Sequence, residues 1–421
     1  MRLRPFSLLP NAAMATAVAM VLLTSAWAGG EKVLYRFMSN QDGYTPLTGV
    51  LFMKGKIYGT TEQGRVPEWG TVYELKHTQS GWTKTTIYTF PNRKPGRNRT
   101  KHGVLPDGEL TKDEAGNLYG TTTQGGDLRY SYHAGCGVVY ELTPSPEGWK
   151  QTVLHQFHLS DGCGPSGQLV WDGAGNLYGT TSGGGDPACE YGCGTVFKLS
   201  RSQAGWRMTT LHYFHNGSDG AGPVSLLRDG KGIFYGTGGG GASGMGTVFK
   251  LLPSGKGWRV TTLYSFTGGA DGSGPYGAIV FDKEGAIYGT TVNGGTYGFG
   301  VVYKLTPSKP TWTETVLHSF AGGADGKYPY SNLLFDSQGN LYGTASEGGG
   351  SCDCGAIFKL TNSGGIWTES IAHGFDGTDG FVPYGEVIWD AAGNLYGTTS
   401  ASGDFCSGHL SGCGNVYEFT P

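Results

Sequence analysis

The stretch GNLYGTTSGGG occupies residues 175–185, and its first seven letters recur at 116–122 and 393–399. The YGT core inside it occurs seven times along the chain, with successive copies 53 to 61 residues apart. Seven copies at this period are typical of propellers and other repeat arrays. The tyrosines of the seven cores are Tyr58, Tyr119, Tyr178, Tyr235, Tyr288, Tyr342 and Tyr396.

Each repeat unit contains four strand-like pieces. An Asp-x-x-Gly pattern, which suits a tight hairpin turn, joins the first two pieces in six of the seven units. No segment has sustained helical periodicity. Four short strands per unit predict propeller blades, so we interpret the glycine-rich phrase as scaffold rather than as a phosphate loop. In the sixth unit the pieces are NLLFD (332–336), NLYGTA (340–345), GAIFKL (355–360) and WTESIAHGF (367–375).

The phase of the repeats predicts how the ring closes. The fourth piece has six copies that begin with tryptophan, and the missing seventh copy is EKVLYRF (31–37) at the front of the chain. The chain ends after a third piece, GNVYEFTP (414–421), so the front segment can complete the last blade and leave no open sheet edge. We therefore predict an all-β protein, a single seven-bladed β-propeller over 29–421 with four antiparallel strands per blade.

The N-terminus is typical of a secretory signal peptide over residues 1–28. Arg2 and Arg4 precede an apolar stretch from about 12 to 23, and Ala26-Trp27-Ala28 fits a cleavage site. A membrane anchor is the alternative, but the stretch is short for a span. A net charge of −3 argues against a general nucleic-acid binder. We expect a secreted or periplasmic monomer without a membrane span after cleavage.

The repeats resemble those of the choice-of-anchor tandem-repeat GloVer-containing proteins. The resemblance covers 31–421 and rests on the GNLYGTTSGGG…GCGTVFKL cores, the GW…TVLHSF strands and the DG…P links. It implies an exported bacterial repeat protein with a propeller fold, and it implies no particular activity. Members often carry a C-terminal anchoring tail, whereas Pro421 follows directly on the last strand, so the resemblance does not extend to surface attachment.

Eight cysteines in an exported chain predict disulfides. The Cys352–Cys354 bridge would be strained by its short spacing, and a free or redox-active pair is the alternative there. A zinc site is disfavoured because the cysteines lie in different blades. Placement within loops predicts the pairs Cys136–Cys163, Cys189–Cys193, Cys352–Cys354 and Cys406–Cys413.

In a propeller, the links between blades and the loops between second and third strands share one face, which usually carries function. Three tyrosines directly follow the link proline in consecutive blades, and the third position after that proline varies among the copies while the scaffold does not. Such a set could stack sugar faces and fix hydroxyls; the alternative is that the tyrosines only fill the blade tops. The predicted ligand-binding residues are Tyr276, Tyr330, Tyr384, Glu109, Gln168, Asn332 and Glu386.

Two further features have both a ligand-binding and a structural interpretation. The link PNRKPGRNRTKHGVLP (91–106) is the one basic cluster and could hold a polyuronate or a phosphate, or be a solvated loop. Its candidate residues are Arg97, Arg99, Lys101 and His102. The Asp-Gly pairs of the links could bind calcium, the one cofactor considered, but turn capping is favoured because single Asp residues spread round a ring do not converge.

The sequence leaves two classes of function open. No nucleophile, zincin or Walker motif occurs, and His155, His212 and His318 occupy a position where Tyr88 and Tyr264 also occur, which favours packing over catalysis. The first hypothesis is an extracellular binding or interaction module, with carbohydrate as the expected ligand. The second is a polysaccharide lyase or hydrolase, metal-assisted or not, with its site at the channel mouth. Convergence of Glu109, Glu386 and Asn332 near the axis would favour the enzyme.

Overall fold

The structure, a computed structural model, describes residues 30–38, 42–64, 69–91, 99–127, 134–255, 257–308, 311–402 and 412–421. Its strands form seven antiparallel sheets around a ring, each with four strands except the fourth, which has five. The helical content of the described residues is one 3-10 turn, Gly323–Asp325. The predicted all-β, seven-bladed β-propeller is confirmed.

The first three blades run, from the innermost to the outermost strand, as follows. Blade 1 comprises β2 (Leu51–Met53), β3 (Lys56–Thr61), β4 (Thr71–Thr78) and β5 (Gly81–Thr89). Blade 2 comprises β7 (Thr111–Lys112), β8 (Leu118–Thr122), β10 (Val138–Ser145) and β11 (Gly148–Gln156), with a separate pair, β6 (Arg99–Val104) and β9 (Gln124–Asp127), beside it. Blade 3 comprises β12 (Cys163–Trp171), β13 (Leu177–Gly183), β14 (Thr195–Ser202) and β15 (Gly205–Tyr213).

The remaining four blades follow the same order. Blade 4 comprises β16 (Ala221–Pro223), β17 (Leu227–Arg228), β18 (Phe234–Gly239), β19 (Thr247–Ser254) and β20 (Gly257–Ser265). Blade 5 comprises β21 (Val280–Phe281), β22 (Ile287–Thr291), β23 (Val301–Ser308) and β24 (Thr311–Ser319). Blade 6 comprises β25 (Leu334–Phe335), β26 (Leu341–Ala345), β27 (Ala356–Ser363) and β28 (Ile366–Gly374). Blade 7 comprises β29 (Ile388–Trp389), β30 (Leu395–Thr399), β31 (Asn415–Thr420) and β1 (Gly30–Arg36).

The ring closes through its first strand. Strand β1 pairs antiparallel with β31, so that Gly30 lies opposite Thr420 and Arg36 opposite Asn415. The core consists of seven clusters of buried side chains, each contributed by two neighbouring blades. The cluster between blades 7 and 1 includes Leu34 of β1 and Tyr73 of β4. The predicted closing strand is confirmed, displaced by one residue from 31–37.

Close packing explains why the YGT phrase is repeated. The glycine of each core lies against an aromatic ring of the third strand, and a Cβ on Gly179 would be 2.6 Å from the ring of Phe197. Only glycine fits such an approach. At the hub, the threonine after this glycine ties blades together: Thr398 Oγ1 donates a hydrogen bond of 2.8 Å to the carbonyl of Thr48 in the next blade. The phrase therefore serves the scaffold.

The Asp-x-x-Gly turns form as the sequence predicts. In blade 3 the carboxylate of Asp172 accepts hydrogen bonds from the backbone N–H groups of Ala174 (2.8 Å) and Asn176 (3.1 Å). Gly175 has the positive φ of 86° that this turn requires. These hairpins lie at the ends of the blades opposite the links, so they leave the link face to the longer loops.

Three of the predicted disulfides are present among the described residues: Cys136–Cys163, Cys189–Cys193 and Cys352–Cys354. The alternative of free thiols at the third pair is wrong, since the described part of the chain has no free cysteine. Cys413 is also disulfide-bonded, and its expected partner, Cys406, lies outside the described residues. The predicted signal peptide lies outside them too. The described residues include no helix long and apolar enough to cross a membrane.

Candidate functional site

The links that carry the three tyrosines are fixed on both sides. In each link the residue before the proline has a left-handed backbone: Gly274 (φ 67°), Tyr328 (57°) and Val382 (59°). The N–H of Val382 donates to the carbonyl of Cys354 in the preceding blade (2.9 Å), and its own carbonyl accepts from the N–H of Ser400 in the following one (3.1 Å). Each link therefore bridges two blades at a defined height.

Val382 also stores backbone strain, because a β-branched residue rarely has a positive φ. Such a conformation costs on the order of 1–3 kcal/mol and persists only where neighbouring contacts impose it. Here the N–H of Tyr384 donates back to the carbonyl of Val382 (3.1 Å), which folds a tight turn around Pro383. The strained turn thus holds Tyr384 in a fixed position.

Tyr276, Tyr330 and Tyr384 form a continuous surface, here called the tyrosine strip. The rings of Tyr276 and Tyr330 are stacked, with centroids 6.0 Å apart and planes at 28°. The rings of Tyr330 and Tyr384 meet edge to face at 4.9 Å. Tyr276 is 48% exposed and Tyr384 36% exposed, so the strip faces solvent. The structure brings together the three predicted tyrosines from three consecutive blades.

Burial is the main influence on the phenols of Tyr330 and Tyr384, and nearby charges add to it. Burial and then the charges around it, including that of Glu347, raise the pKa of Tyr330, and burial and Glu347 raise the pKa of Tyr384. The phenols of Tyr330 and Tyr384 therefore stay protonated and can donate hydrogen bonds. Glu347 itself pairs with Lys327 at 2.8 Å, and Lys327 pairs also with Asp353 at 2.9 Å.

Two of the predicted polar residues meet at the hub. Glu109 of blade 2 is 8% exposed, and its Oε1 accepts a hydrogen bond of 2.9 Å from the N–H of Gly49 in blade 1. The carboxyl groups of Glu109 and of Glu386 in blade 7 lie within hydrogen-bonding reach of each other, and this contact shifts the pKa of both. Gly49 makes the crossing possible, because a Cβ there would lie 2.7 Å from the carbonyl oxygen of Glu386. We call these two residues the hub pair.

A hydrogen bond between two carboxyl groups requires a proton on one of them. Burial, and then the charge of Glu386, raises the pKa of Glu109 well above its ordinary value. Burial raises the pKa of Glu386 to about 7. The hub pair therefore shares a proton near neutral pH, as expected of two like charges in contact.

The other two candidates at this position make different contacts. Asn332 bonds the backbone of Val387 in the next blade: its Oδ1 accepts from the N–H at 3.0 Å and its Nδ2 donates to the carbonyl at 3.4 Å. It thus ties blade 6 to blade 7. The side chain of Gln168 is exposed. The contact between candidate side chains at the hub therefore joins Glu109 and Glu386, while Asn332 bonds the backbone beside Glu386.

The basic link is partly built into the fold. Its strand β6 pairs with β9, so that Arg99 lies opposite Asp127. Lys101 and His102 are exposed, and the ring of His102 is hydrogen-bonded to Gln151 at 2.7 Å. Arg97 and the side chain of Arg99 lie outside the described part of the chain. The end of the link is therefore a sheet edge rather than a loose loop.

The aspartates of the Asp-Gly pairs cap turns, which is the role that the sequence analysis favoured. Asp161 accepts from the backbone N–H of His158 at 2.8 Å. It also contacts the ring of His155 at 3.0 Å, a partnership that sequence reasoning missed. The regular spacing of six or seven residues between the outer-strand His or Tyr and the link Asp was the signal for it. Equivalent pairs are Tyr35–Asp42, His212–Asp219, Tyr264–Asp271, His318–Asp325 and His373–Asp379.

Sequence reasoning also missed a cleft of about 830 Å³ between blades 2 and 3. Leu159, Asp186 and Tyr191 line it, and Tyr191 is 58% exposed. Cys163 and Cys189 also line it, so two disulfides fix its walls. The cleft is a concave surface and the alternative place for a ligand.

Comparison with solved structures finds several proteins of low similarity. A Thermus thermophilus protein assigned as an oxidoreductase (glucose dehydrogenase) is 14% identical, with a TM-score of 0.43 over 93% of this chain and 99% of that one. The PQQ-bound aldose sugar dehydrogenase of Streptomyces coelicolor is 11% identical, with a TM-score of 0.45 over 76% and 96%. A luciferin-regenerating enzyme is 14% identical, with a TM-score of 0.44 over 76% and 93%.

No curated protein matches the chain. The model of one repeat family does match it, over residues 21–237 and 188–417. The two matched regions overlap and together span all seven blades, which agrees with the repeats in the sequence and with the resemblance that they suggested. The chain belongs to the Gloeobacter/Verrucomicrobia repeat family.

Proposed function

We propose that this protein is an extracellular binding module for neutral carbohydrate, with the ligand lying along the tyrosine strip. The placement of Tyr276, Tyr330 and Tyr384 carries the proposal, since three rings from three blades meet on one exposed surface. Export rests on the predicted signal peptide, and the three disulfides agree with an oxidising compartment.

The chemistry of the strip suits sugars. Half-exposed aromatic rings offer flat apolar faces for pyranose C–H groups, and protonated phenols can donate to hydroxyls. Glu347 can accept hydrogen bonds from hydroxyl groups, while its charge opposes a uronate. Lys327, the cation beside Glu347, is already paired with two carboxylates. These contacts favour neutral over acidic glycans.

Replacing Tyr276 or Tyr384 by alanine should weaken binding to the best neutral polysaccharide roughly fivefold, because a lost stacking contact is worth about 1 kcal/mol. Phenylalanine at either position should retain most of the affinity, since the ring remains. We would screen neutral and uronic polysaccharides by affinity electrophoresis and then titrate soluble oligosaccharides by calorimetry.

Tyr191→Ala is the matched control, because Tyr191 is an exposed tyrosine of the cleft between blades 2 and 3. We expect it to bind as the wild type does. Loss of binding in Tyr191→Ala, with Tyr276→Ala unaffected, would place the ligand in the cleft instead. Failure to bind any glycan in the screen would refute the carbohydrate proposal.

A second candidate is an enzyme whose acid and base are the hub pair. The shared proton and raised pKa of Glu109 and Glu386 favour it. Against it, glycosidases separate their two carboxyl groups by about 5 Å or more to admit substrate and water, whereas these two are in hydrogen-bond contact. The same polysaccharide panel, assayed for reducing ends and unsaturated uronates, tests it; product that disappears in Glu386→Gln would establish the enzyme.

A further inference from the structure

We call the contact between two neighbouring blades a junction and number it by those blades, so that junction 7/1 joins blades 7 and 1. The junctions share a second side-chain position, besides the position of the His–Asp or Tyr–Asp pair described above. It lies six residues before the phenylalanine that follows each outer strand, and at junctions 7/1, 5/6 and 6/7 it faces the pair of the preceding blade. The residue there differs from junction to junction. Going round the ring from junction 7/1, the residues are Lys84, Gln151, Met208, Val260, Glu314, Glu369 and Glu31.

At junction 7/1 this position supplies a positive charge. The side chain of Lys84 is 3% exposed, and its Nζ donates to Asp42 Oδ1 at 2.8 Å. Tyr35 donates to the same carboxylate at 2.7 Å. The junction is thus a pocket in which the chain itself places a buried cation beside the link aspartate.

At junctions 5/6 and 6/7 the lysine is replaced by glutamate. Ligand atoms of His318, Asp325 and Glu369 all lie within 4.8 Å of one another. Those of His373, Asp379 and Glu31 form the same arrangement at the next junction. Two carboxylates and an imidazole therefore converge where junction 7/1 has a lysine. We call these the outer triads.

Within the described part of the chain, each glutamate of the outer triads has one carboxylate oxygen without a hydrogen-bond partner. Oε1 of Glu369 and Oε1 of Glu31 are shielded from solvent and have no hydrogen-bond donor among the described residues, and the same holds for Oε1 of Glu314 at junction 4/5, where no histidine is present. A shielded carboxylate oxygen is costly unless a proton or a cation neutralises it. The negative neighbours Asp325 and Asp379 make that requirement stronger.

We propose that each outer triad binds a divalent transition-metal ion, with zinc the best match, and so joins two neighbouring blades. One imidazole nitrogen and two carboxylate oxygens are ordinary zinc ligands, at bonds of about 2.0–2.2 Å that set ligand atoms about 3.3 Å apart. The His318 and His373 nitrogens lie 3.0 Å and 2.7 Å from their aspartates, so small shifts suffice. Calcium fits less well, because it takes six to eight oxygen ligands.

The other junctions provide internal controls, since none of them completes the set. Junction 4/5 has two carboxylates, Asp271 and Glu314, but Tyr264 in place of histidine. Junction 2/3 has His155 and Asp161, but Met208 in place of glutamate. Among the described residues, complete groups of three occur only at junctions 5/6 and 6/7. We therefore expect two ions per chain.

Calorimetric titration of chelator-treated, tag-free protein with zinc chloride near neutral pH tests the proposal. We expect two bound ions in the wild type, one in Glu31→Gln or Glu369→Gln, and none in the double variant. Glu314→Gln is the matched control, because it removes the equivalent carboxylate from a junction without histidine, and it should still bind two. Zinc should raise the melting temperature of the wild type but not of the double variant.

Met208→Glu tests the proposal by adding a binding site. Its result therefore cannot be explained by a variant that has become unstable after losing a site. The substitution completes a His–Asp–Glu set at junction 2/3 and should raise the stoichiometry from two to three. Zinc binding that is unchanged in the double variant would overturn the proposal, as would an equal loss in Glu314→Gln. Absence of any binding to the wild type would show that a proton alone neutralises these carboxylates.

Discussion

Deleting residues 30–37 should remove most of the stability of the ring. Leu34 and Phe37 are buried in the cluster between blades 7 and 1, and truncating residues of this kind costs about 2–5 kcal/mol each. The deletion also exposes the edge of β31. Together these losses approach the whole stability of a typical domain, about 5–15 kcal/mol. We expect scanning calorimetry to show a much lower, broader transition than that of a chain starting at Gly30.

A circular permutant separates the loss of these residues from the loss of the closure. Gly30 lies opposite Thr420, so the segment 30–37 can be joined after Pro421 through a short turn. Other blades make the same connection as a hairpin, with Ser145 opposite Gly148 in blade 2. The permutant should melt near the wild-type temperature. A deletion variant that melts like the wild type would contradict closure by β1.

The sequence contains enough to predict the ring because its strands are repeated and their phase is offset. It predicts the innermost strands less well: NLLFD was expected to be a strand over 332–336, yet only Leu334–Phe335 pairs within the blade. The cause is visible at Asn332, which bonds Val387 of the neighbouring blade instead. At the crowded hub, contacts between blades replace the ladder within a blade.

The tyrosine strip was predictable because the same offset from a link proline puts a residue at the same height in every blade. The hub pair was not, since Glu109 meets Glu386 only by passing over Gly49 of blade 1. Both the ring closure and the absence of a side chain at Gly49 are needed for that contact. A side-chain contact that crosses a third blade cannot be recognised from the spacing of residues in the sequence.

Replacing Glu109 by glutamine should make the protein more resistant to unfolding above neutral pH. The pKa of Glu386 is raised from 4.5 to about 7, and that of Glu109 is raised as well, so the folded chain holds a proton that the unfolded chain releases. Stability from this proton is complete below about pH 4.5 and is lost as the pH rises through about 7. At 1.36 kcal/mol per pKa unit, the loss is on the order of 3 kcal/mol.

Glutamine at 109 can still accept from the N–H of Gly49 and can donate its amide hydrogen to an ionised Glu386, so no proton has to be taken up on folding. Free energies of unfolding in urea, measured at about pH 5 and about pH 8 with chelator present, should differ less for this variant than for the wild type. Glu114→Gln is the control: Glu114 is exposed on a hairpin of blade 2, and its variant should follow the wild-type profile.

Other raised carboxyl groups do not confound the comparison. Burial, with the charge of Glu62, raises the pKa of Asp107 to about 7, but this contribution is present in every variant and cancels in the difference. Glu386→Gln should change the profile in the same direction, because it too removes one of the two like charges and leaves an amide that can donate to Glu109. If the free energy of unfolding changes equally with pH in the wild type and in Glu109→Gln, the hub pair does not share a proton. The support for acid–base chemistry at the channel mouth would then be lost as well.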